Sequence, residues 1–400
     1  MFGSGGFSAI LSNIFTLPNA VSFAKLRGSY ATTGNDASPY LTTQLYNFAP
    51  GGNGGFISRN GVKPFPDLKP ELTTAKEIGL EAKFFNDRFG FDLGLYSSDT
   101  KNQLFQVTLP PASGWASEYV NAGLVNNKGV ELTLNGTPVM KDAFRWNIDL
   151  NFAKNTNKVV ELSPTLKTLN LTQDFMVFQR AVEGQPLGQM YSRGYQRNAS
   201  GSILVNQTNG LPLITAGTTV DIGNSRPDWT GGLNNSFTFK NITLSALITA
   251  RVGGTVTSFT NAIIYSDGQV TETLDGRSSM VFPGVTAAGA ANTVATTAEQ
   301  YWKFVGGRNV PVGEVWAYDA TNIRLREASL SYTLPKTLLK KVPFQAASVS
   351  LTGRNLFFIV NKAKGFDPES TAGSTNTSVG QEGFSLPTTR QIGLNLNLSF

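Results

Sequence analysis

Two residue types are missing from the 400-residue chain: cysteine and histidine. Without them no zinc site of thiolates or imidazoles, no thiol nucleophile and no Ser-His-Asp triad can be built. A chain free of cysteine fits an exported protein that carries no unpaired thiol. Long apolar runs are missing too. With 40% hydrophobic residues and a mean hydropathy of −0.11, no stretch reads as a membrane helix. The Lys and Arg residues are spread out and the net charge is only +6, so there is no basic face for nucleic acid. The start, Met1-Phe2-Gly3-Ser4, lacks the basic and apolar regions of a secretory signal. The expectation is therefore a C-terminal piece of something larger, or a reading frame cut at its front.

What is present suits strands and loops: 41 glycines, 11% aromatics, and many Asn and Thr residues. The last stretch, Leu386 to Phe400, has Ile392, Leu394, Leu396, Leu398 and Phe400 on one parity. Gly393, Asn395, Asn397 and Ser399 occupy the other, which is the period of a strand with one apolar and one polar face. Such a face looks into a core in a soluble sandwich and into lipid in an outer-membrane barrel.

The same alternation recurs along the chain. Met1 to Ser12 reads as the tail of a strand and Phe23 to Asn35 as a full one. Thr74 to Phe85 and Arg88 to Asp99 form a hairpin about Asn86-Asp87, with Glu81, Lys83 and Asp92 on the polar parity. Gly129 to Thr137 pairs with the strand starting near Phe144. Asp228 to Phe239 pairs with Ile242 to Val252, and Thr321 to Thr333 with Ala347 to Val360. Within Thr321 to Thr333 the parity of Ile323 and Leu325 is opposite to that of Leu330 and Tyr332, so a bulge or a segment projecting beyond the membrane is expected.

Between these pairs lie long irregular segments: Asp36 to Thr73 with its Gly51–Gly55 run, Lys101 to Lys128, Thr156 to Arg226, Gly253 to Tyr318 and Asn361 to Ser385. The glycine run lacks the Lys-Ser/Thr ending of a phosphate loop and reads as flexible loop. If Phe400 ends in the periplasm, every tight connection falls on the periplasmic side and every long one outside. That segregation is the rule of outer-membrane barrels, and a soluble sandwich has no reason to obey it. The fold expected is all-β, an antiparallel transmembrane β-barrel. Asp367-Pro368-Glu369 reads as turn chemistry rather than as a calcium or acid pair, and Glu131, Glu81 and Asp92 as lumenal hydrogen-bonding groups rather than catalysts. No catalytic residue, metal or cofactor is expected.

A family resemblance rests on several runs: Lys25-Leu26-Arg27-Gly28-Ser29-Tyr30 with Thr33-Gly34-Asn35; Pro66-Asp67-Leu68-Lys69-Pro70-Glu71; Asn127-Lys128-Gly129-Val130-Glu131-Leu132; Asn322-Ile323-Arg324-Leu325-Arg326; Leu330-Ser331-Tyr332-Thr333-Leu334-Pro335; Gly353-Arg354-Asn355-Leu356; and Gly365-Phe366-Asp367-Pro368-Glu369. In this order they resemble the barrel of SusC/RagA-type TonB-linked (TonB-dependent) outer-membrane transporters. The resemblance implies a barrel of about 22 strands filled by an N-terminal plug that engages TonB. Residues 1–400 would supply about ten full strands, roughly the C-terminal half, without plug or signal peptide.

Hydrocarbon does not tolerate open sheet edges, so the closing strand awaits a first strand that this chain lacks. The resemblance further implies the outer membrane of a Gram-negative bacterium, a SusD-like surface lipoprotein as lid, and barrel-assembly machinery that reads the terminal strand. The cargo would be oligosaccharides, with siderophore, cobalamin or peptide as alternatives. A secreted β-rich adhesin or structural protein is the reading from another class. Trp115, Trp302, Trp316, Tyr301 and Tyr318 are the candidates for stacking on sugar rings from the extracellular loops, with packing of the loops or contact with the lid as the favoured alternative for any one of them.

Overall fold

The computed structural model describes residues 2–51, 54–162, 167–340, 343–371 and 380–400. Residues 52–53 of the glycine run lie outside them. Eleven strands form the main sheet: β1 Ser4–Ile10, β2 Val21–Asn35, β3 Glu71–Phe84, β4 Phe89–Lys101, β5 Leu124–Lys141, β6 Phe144–Glu161, β7 Trp229–Phe239, β8 Ile242–Val252, β9 Asn322–Thr333, β10 Ala346–Asn361 and β11 Gln391–Ser399. Each strand lies beside its neighbour in chain order, and every pairing is antiparallel. Connections alternate in length from one end of the sheet to the other. At one end they cover residues 11–20, 85–88, 142–143, 240–241 and 334–345; at the other, 36–70, 102–123, 162–228, 253–321 and 362–390.

Register keeps the two faces apart across the sheet. Leu26, Leu80, Leu93, Leu132 and Phe152 fall in one row; Lys25, Glu81, Asp92, Thr133 and Asn151 fall in the next, on the opposite face. On the polar face Lys25 pairs with Glu81 at 2.5 Å, and Arg27 reaches Asp92 at 2.8 Å and Glu77 at 3.5 Å. Arg27 lies over Gly79, where a Cβ would stand 2.4 Å from its Cζ, so glycine there lets the guanidinium cross to the next strand. Among the described residues nothing covers the apolar side chains of the last strand: Ile392 is 76% exposed and Leu394 75%.

The irregular strand contains a bulge. Leu325 faces Ile248 and Glu327 faces Leu247, so Arg326 is the extra residue. Beyond it Ala328, Leu330 and Tyr332 fall opposite Ala246, Leu244 and Ile242, on the same face as Ile323 and Leu325. One inserted residue thus reconciles two runs of opposite parity.

Strand ends differ from expectation at the long-loop end. β3, β5 and β6 continue to Glu71, Leu124 and Glu161, and the long segments hold structure of their own. Residues 162–228 carry a four-stranded sheet, Thr168–Gln173, Phe178–Val182, Gln189–Ser192 and Val220–Asn224. Residues 253–321 carry helices α1 Phe259–Ser266 and α2 Ala298–Val305. Thr255–Ser258 and Ala317–Asp319 join Gln381–Glu382 of the last loop in a further sheet.

The reason is burial. Met176, Val177, Met190, Val205, Phe282, Val305 and Trp316 make one core out of two excursions. Phe105, Val125, Val159, Leu169 and Ala181 make another, which ties strand ends to loops. A buried backbone must pair its amides and carbonyls, so segments that bury this much acquire ladders and helices. Their apolar residues are too scattered in sequence for any period to reveal them.

Candidate functional site

The expected aromatics all lie in the crown of long loops. Thr297 caps α2 reciprocally: its Oγ1 accepts from Gln300 N at 3.2 Å, and its own N–H donates to Gln300 Oε1 at 3.1 Å. This start turns Tyr301 and Val305 inward. The Tyr301 hydroxyl lies 2.7 Å from that of Tyr195, and burial raises both phenols above their ordinary range. Trp316 is 1% exposed and donates its Nε1 hydrogen to Val305 O at 2.9 Å. Tyr301 and Trp316 are therefore core residues, as the packing alternative for loop aromatics has it, and offer no free ring face.

Of the remaining three, Trp302 edges the same core, 4.8 Å from the Tyr301 ring and 5.9 Å from that of Trp316, and Trp115 and Tyr318 lie elsewhere. Trp302 packs on Tyr265 with ring centroids 4.8 Å apart and lines a cavity of 640 Å³ with Asp267, Arg277, Glu299 and Lys303. The Trp115 ring carries the Arg59 guanidinium at 3.8 Å, so one of its faces is occupied. Tyr318 lines a different cavity, of 580 Å³, with Asn155, Asn224, Arg226, Asp228 and Asp319. Its hydroxyl accepts from Asn261 Nδ2 at 3.0 Å and its ring meets Phe366 edge-on at 5.4 Å. Burial pushes the Tyr318 phenol up to about 12, so it stays protonated. At Asp319 burial opposes the charge. Hydrogen bonds from Lys362 Nζ and Thr321 N, each 2.8 Å, outweigh it and hold the carboxyl below its ordinary range.

Three of the five aromatics thus share one core cluster, and Trp115 and Tyr318 lie away from it. The cavity at Tyr318 has the better claim, since it sits where the ends of β6 and β7 meet both large excursions and combines amides, charges of both signs and an aromatic edge.

Reading along the chain overlooked a cluster where two motifs meet. Arg324 of β9 contacts Asp367 at 2.7 Å, both side chains nearly sealed from solvent. Thr388 accepts from Arg324 Nη1 at 2.8 Å and donates to Asp367 Oδ2 at 2.6 Å, while the Phe358 ring lies 3.9 Å from the guanidinium carbon. Arg326 binds both oxygens of Glu369, at 2.7 and 2.9 Å. Asp367-Pro368-Glu369 therefore bolts the last long loop to the wall. The signal was available in the matched spacing: Arg324 and Arg326 stand two apart, as do Asp367 and Glu369. Among the described residues no cluster of His, Cys, Asp or Glu could hold a metal.

Comparison with known proteins assigns the chain. A family model described as TonB dependent receptor-like, beta-barrel matches residues 11–356. The chain belongs to this family. TonB-dependent receptor barrels reside in the outer membrane and form a receptor family, not an enzyme family, which sets aside the secreted-adhesin reading.

By the family's rule the short-turn end of the sheet is periplasmic and the crown extracellular. TonB-dependent receptor P3 of Formosa agariphila is 25% identical over 100% of this chain and 41% of its own length. TonB-dependent receptor SusC of Bacteroides thetaiotaomicron is 24% identical over 89% of this chain and 36% of its own. This receptor chain thus spans about two-fifths of the length of the curated relatives it matches. The RagAB peptide transporter superposes with a TM-score of 0.78 at 23% identity, over 100% of this chain and 43% of that one, and so shares the fold.

Proposed function

We propose that residues 1–400 are the C-terminal wall and loop crown of an energised outer-membrane importer that takes up oligosaccharides. A preceding plug would engage TonB, a SusD-like surface lipoprotein would close the mouth, and the assembly machinery would read β11. The single observation that carries the cargo reading is the cavity at Tyr318. Asn155, Asn224 and Thr255 present amide and hydroxyl groups beside an aromatic edge, a combination suited to sugar hydroxyls and ring faces. Peptide is the second reading, favoured by Lys154 and Arg226 facing Asp228 and Asp319 in the same cavity, charges that would meet a zwitterion. Calorimetric titration of the detergent-purified receptor with neutral oligosaccharides and with short peptides decides between them. Binding of glycans lost in Tyr318→Ala supports the first reading; binding of peptides alone replaces it with the second.

A further inference from the structure

The apolar face of the sheet has a notch near its periplasmic end. Gly136 stands between Phe89 of β4 and Ile148 of β6, so the row lacks a side chain here and the Phe89 ring leans over the gap. A Cβ at Gly136 would come within 2.9 Å of Phe89 Cδ1. The resulting hollow, 370 Å³, is walled by Phe84, Phe89, Phe91, Leu134, Ile148 and Leu150. It lies within β3 to β6, in the middle of the sheet, so neither free edge bears on it.

The rim is cationic. Arg88 Nη2 donates to the carbonyls of Thr137 and Pro138, at 3.1 and 2.9 Å, and its Nε is sealed without a partner. Among the described residues no carboxylate pairs with Arg88 or Lys141, and Lys240 lies at the same end over the Phe239 ring; Lys83 and Arg145 belong to the polar face, and Asp87 and Asp142 are the opposing charges at this end. A hollow in a lipid-facing wall forfeits dispersion contacts unless a chain fills it, and unpaired cations at the membrane surface attract anionic headgroups.

We propose that this notch holds one acyl chain of an anionic glycerophospholipid of the periplasmic leaflet, with its phosphate drawn to Arg88 and Lys141. Lipid A is the wrong source, because the notch lies at the end opposite the extracellular crown. The inference rests on the outer-membrane placement and is independent of cargo.

Native mass spectrometry of the detergent-extracted protein tests it, with phosphatidylglycerol and phosphatidylcholine added back after delipidation. The wild type should retain a single phosphatidylglycerol in preference to phosphatidylcholine. Leu134→Trp, which fills the notch, should lower retention by about fourfold for each methylene displaced. Lys141→Gln should weaken the headgroup preference, and Leu330→Trp, on the same face in β9, should change neither. Equal retention of the two lipids by the wild type, or equal retention in Leu134→Trp and Leu330→Trp, overturns the proposal. Heat-modifiable migration is recorded for each protein. A wild-type full receptor, with residues 1–400 in place beside the preceding strands, that never migrates as a folded barrel refutes the membrane placement itself, whereas a folded wild type without lipid selectivity refutes only the notch.

Discussion

Removing the Asp367 carboxylate should release the last extracellular loop while leaving the sheet intact. In Asp367→Ala, Arg324 loses its 2.7 Å partner, Thr388 loses its 2.6 Å acceptor and the Glu369 amide its 3.0 Å acceptor. The Arg324 side chain is only 2% exposed, so its charge would be stranded, with Glu369 at 3.9 Å as the nearest compensation. Breaking a buried pair from one side costs about 3–5 kcal/mol, and Glu369 should hold this case near the lower limit. A docking equilibrium shifted by about 3 kcal/mol moves by roughly a hundredfold.

Trypsin offers the assay, because Lys362, Lys364 and Arg390 are exposed at the two ends of the loop. Cleavage there should accelerate by about two orders of magnitude, with the heat-modifiable gel shift retained. Arg324→Met combined with Asp367→Leu removes both charges and should recover most of the protection. Equal cleavage of wild type and Asp367→Ala would refute the bolt. The effect of pH follows with a definite sign. Burial opposes the Asp367 charge, but hydrogen bonds from Arg324, Thr388 and the Glu369 amide outweigh it, so the folded pKa is lowered. Its stabilisation is complete above the unfolded value of about 3.9 and is lost as pH falls through the lower folded value.

Trp316→Ala empties the core that joins both excursions and should destabilise the crown by about 3–5 kcal/mol, seen as loss of near-ultraviolet dichroism with the strand signal unchanged. Tyr318→Phe removes the acceptor for Asn261 but leaves the ring, so ligand affinity should fall less than in Tyr318→Ala; identical losses would show that the ring face contributes nothing. Leu330→Arg on the apolar face should cost about 2–4 kcal/mol in a urea titration of vesicle-inserted protein, and Ser331→Arg on the polar face far less.

Strand count, pairing and face assignment were legible because a lipid-facing wall needs a strict period of two and tight turns at one end, as in β3–β4 and β7–β8. Even the conflict between Ile323 and Leu330 announced the bulge at Arg326. The crown was not legible. That Trp316 and Tyr301 pack could be expected of loop aromatics, but their partners could not be named, because Tyr195, Phe282 and Val305 belong to separate stretches with no common period. For Arg324 and Asp367 the matched two-residue spacing offered the pairing, but that the loop folds back 43 residues later to make it is not encoded in any local pattern.

One parity of this sheet faces hydrocarbon and the other water. Because the chain has no native cysteine, single cysteines can be placed without background. The positions to scan are Ile323 to Tyr332 in β9 and Ile392 to Ser399 in β11, in outer-membrane vesicles, with spin labels read against oxygen and a water-soluble nickel chelate. Oxygen accessibility should dominate at Leu325, Ala328, Leu330, Leu394 and Leu396, and nickel accessibility at Ser329, Ser331, Asn395 and Asn397, with the phase slipping by one residue at Arg326. Uniform nickel accessibility at both parities, or an unbroken period of two through Arg326, would contradict it.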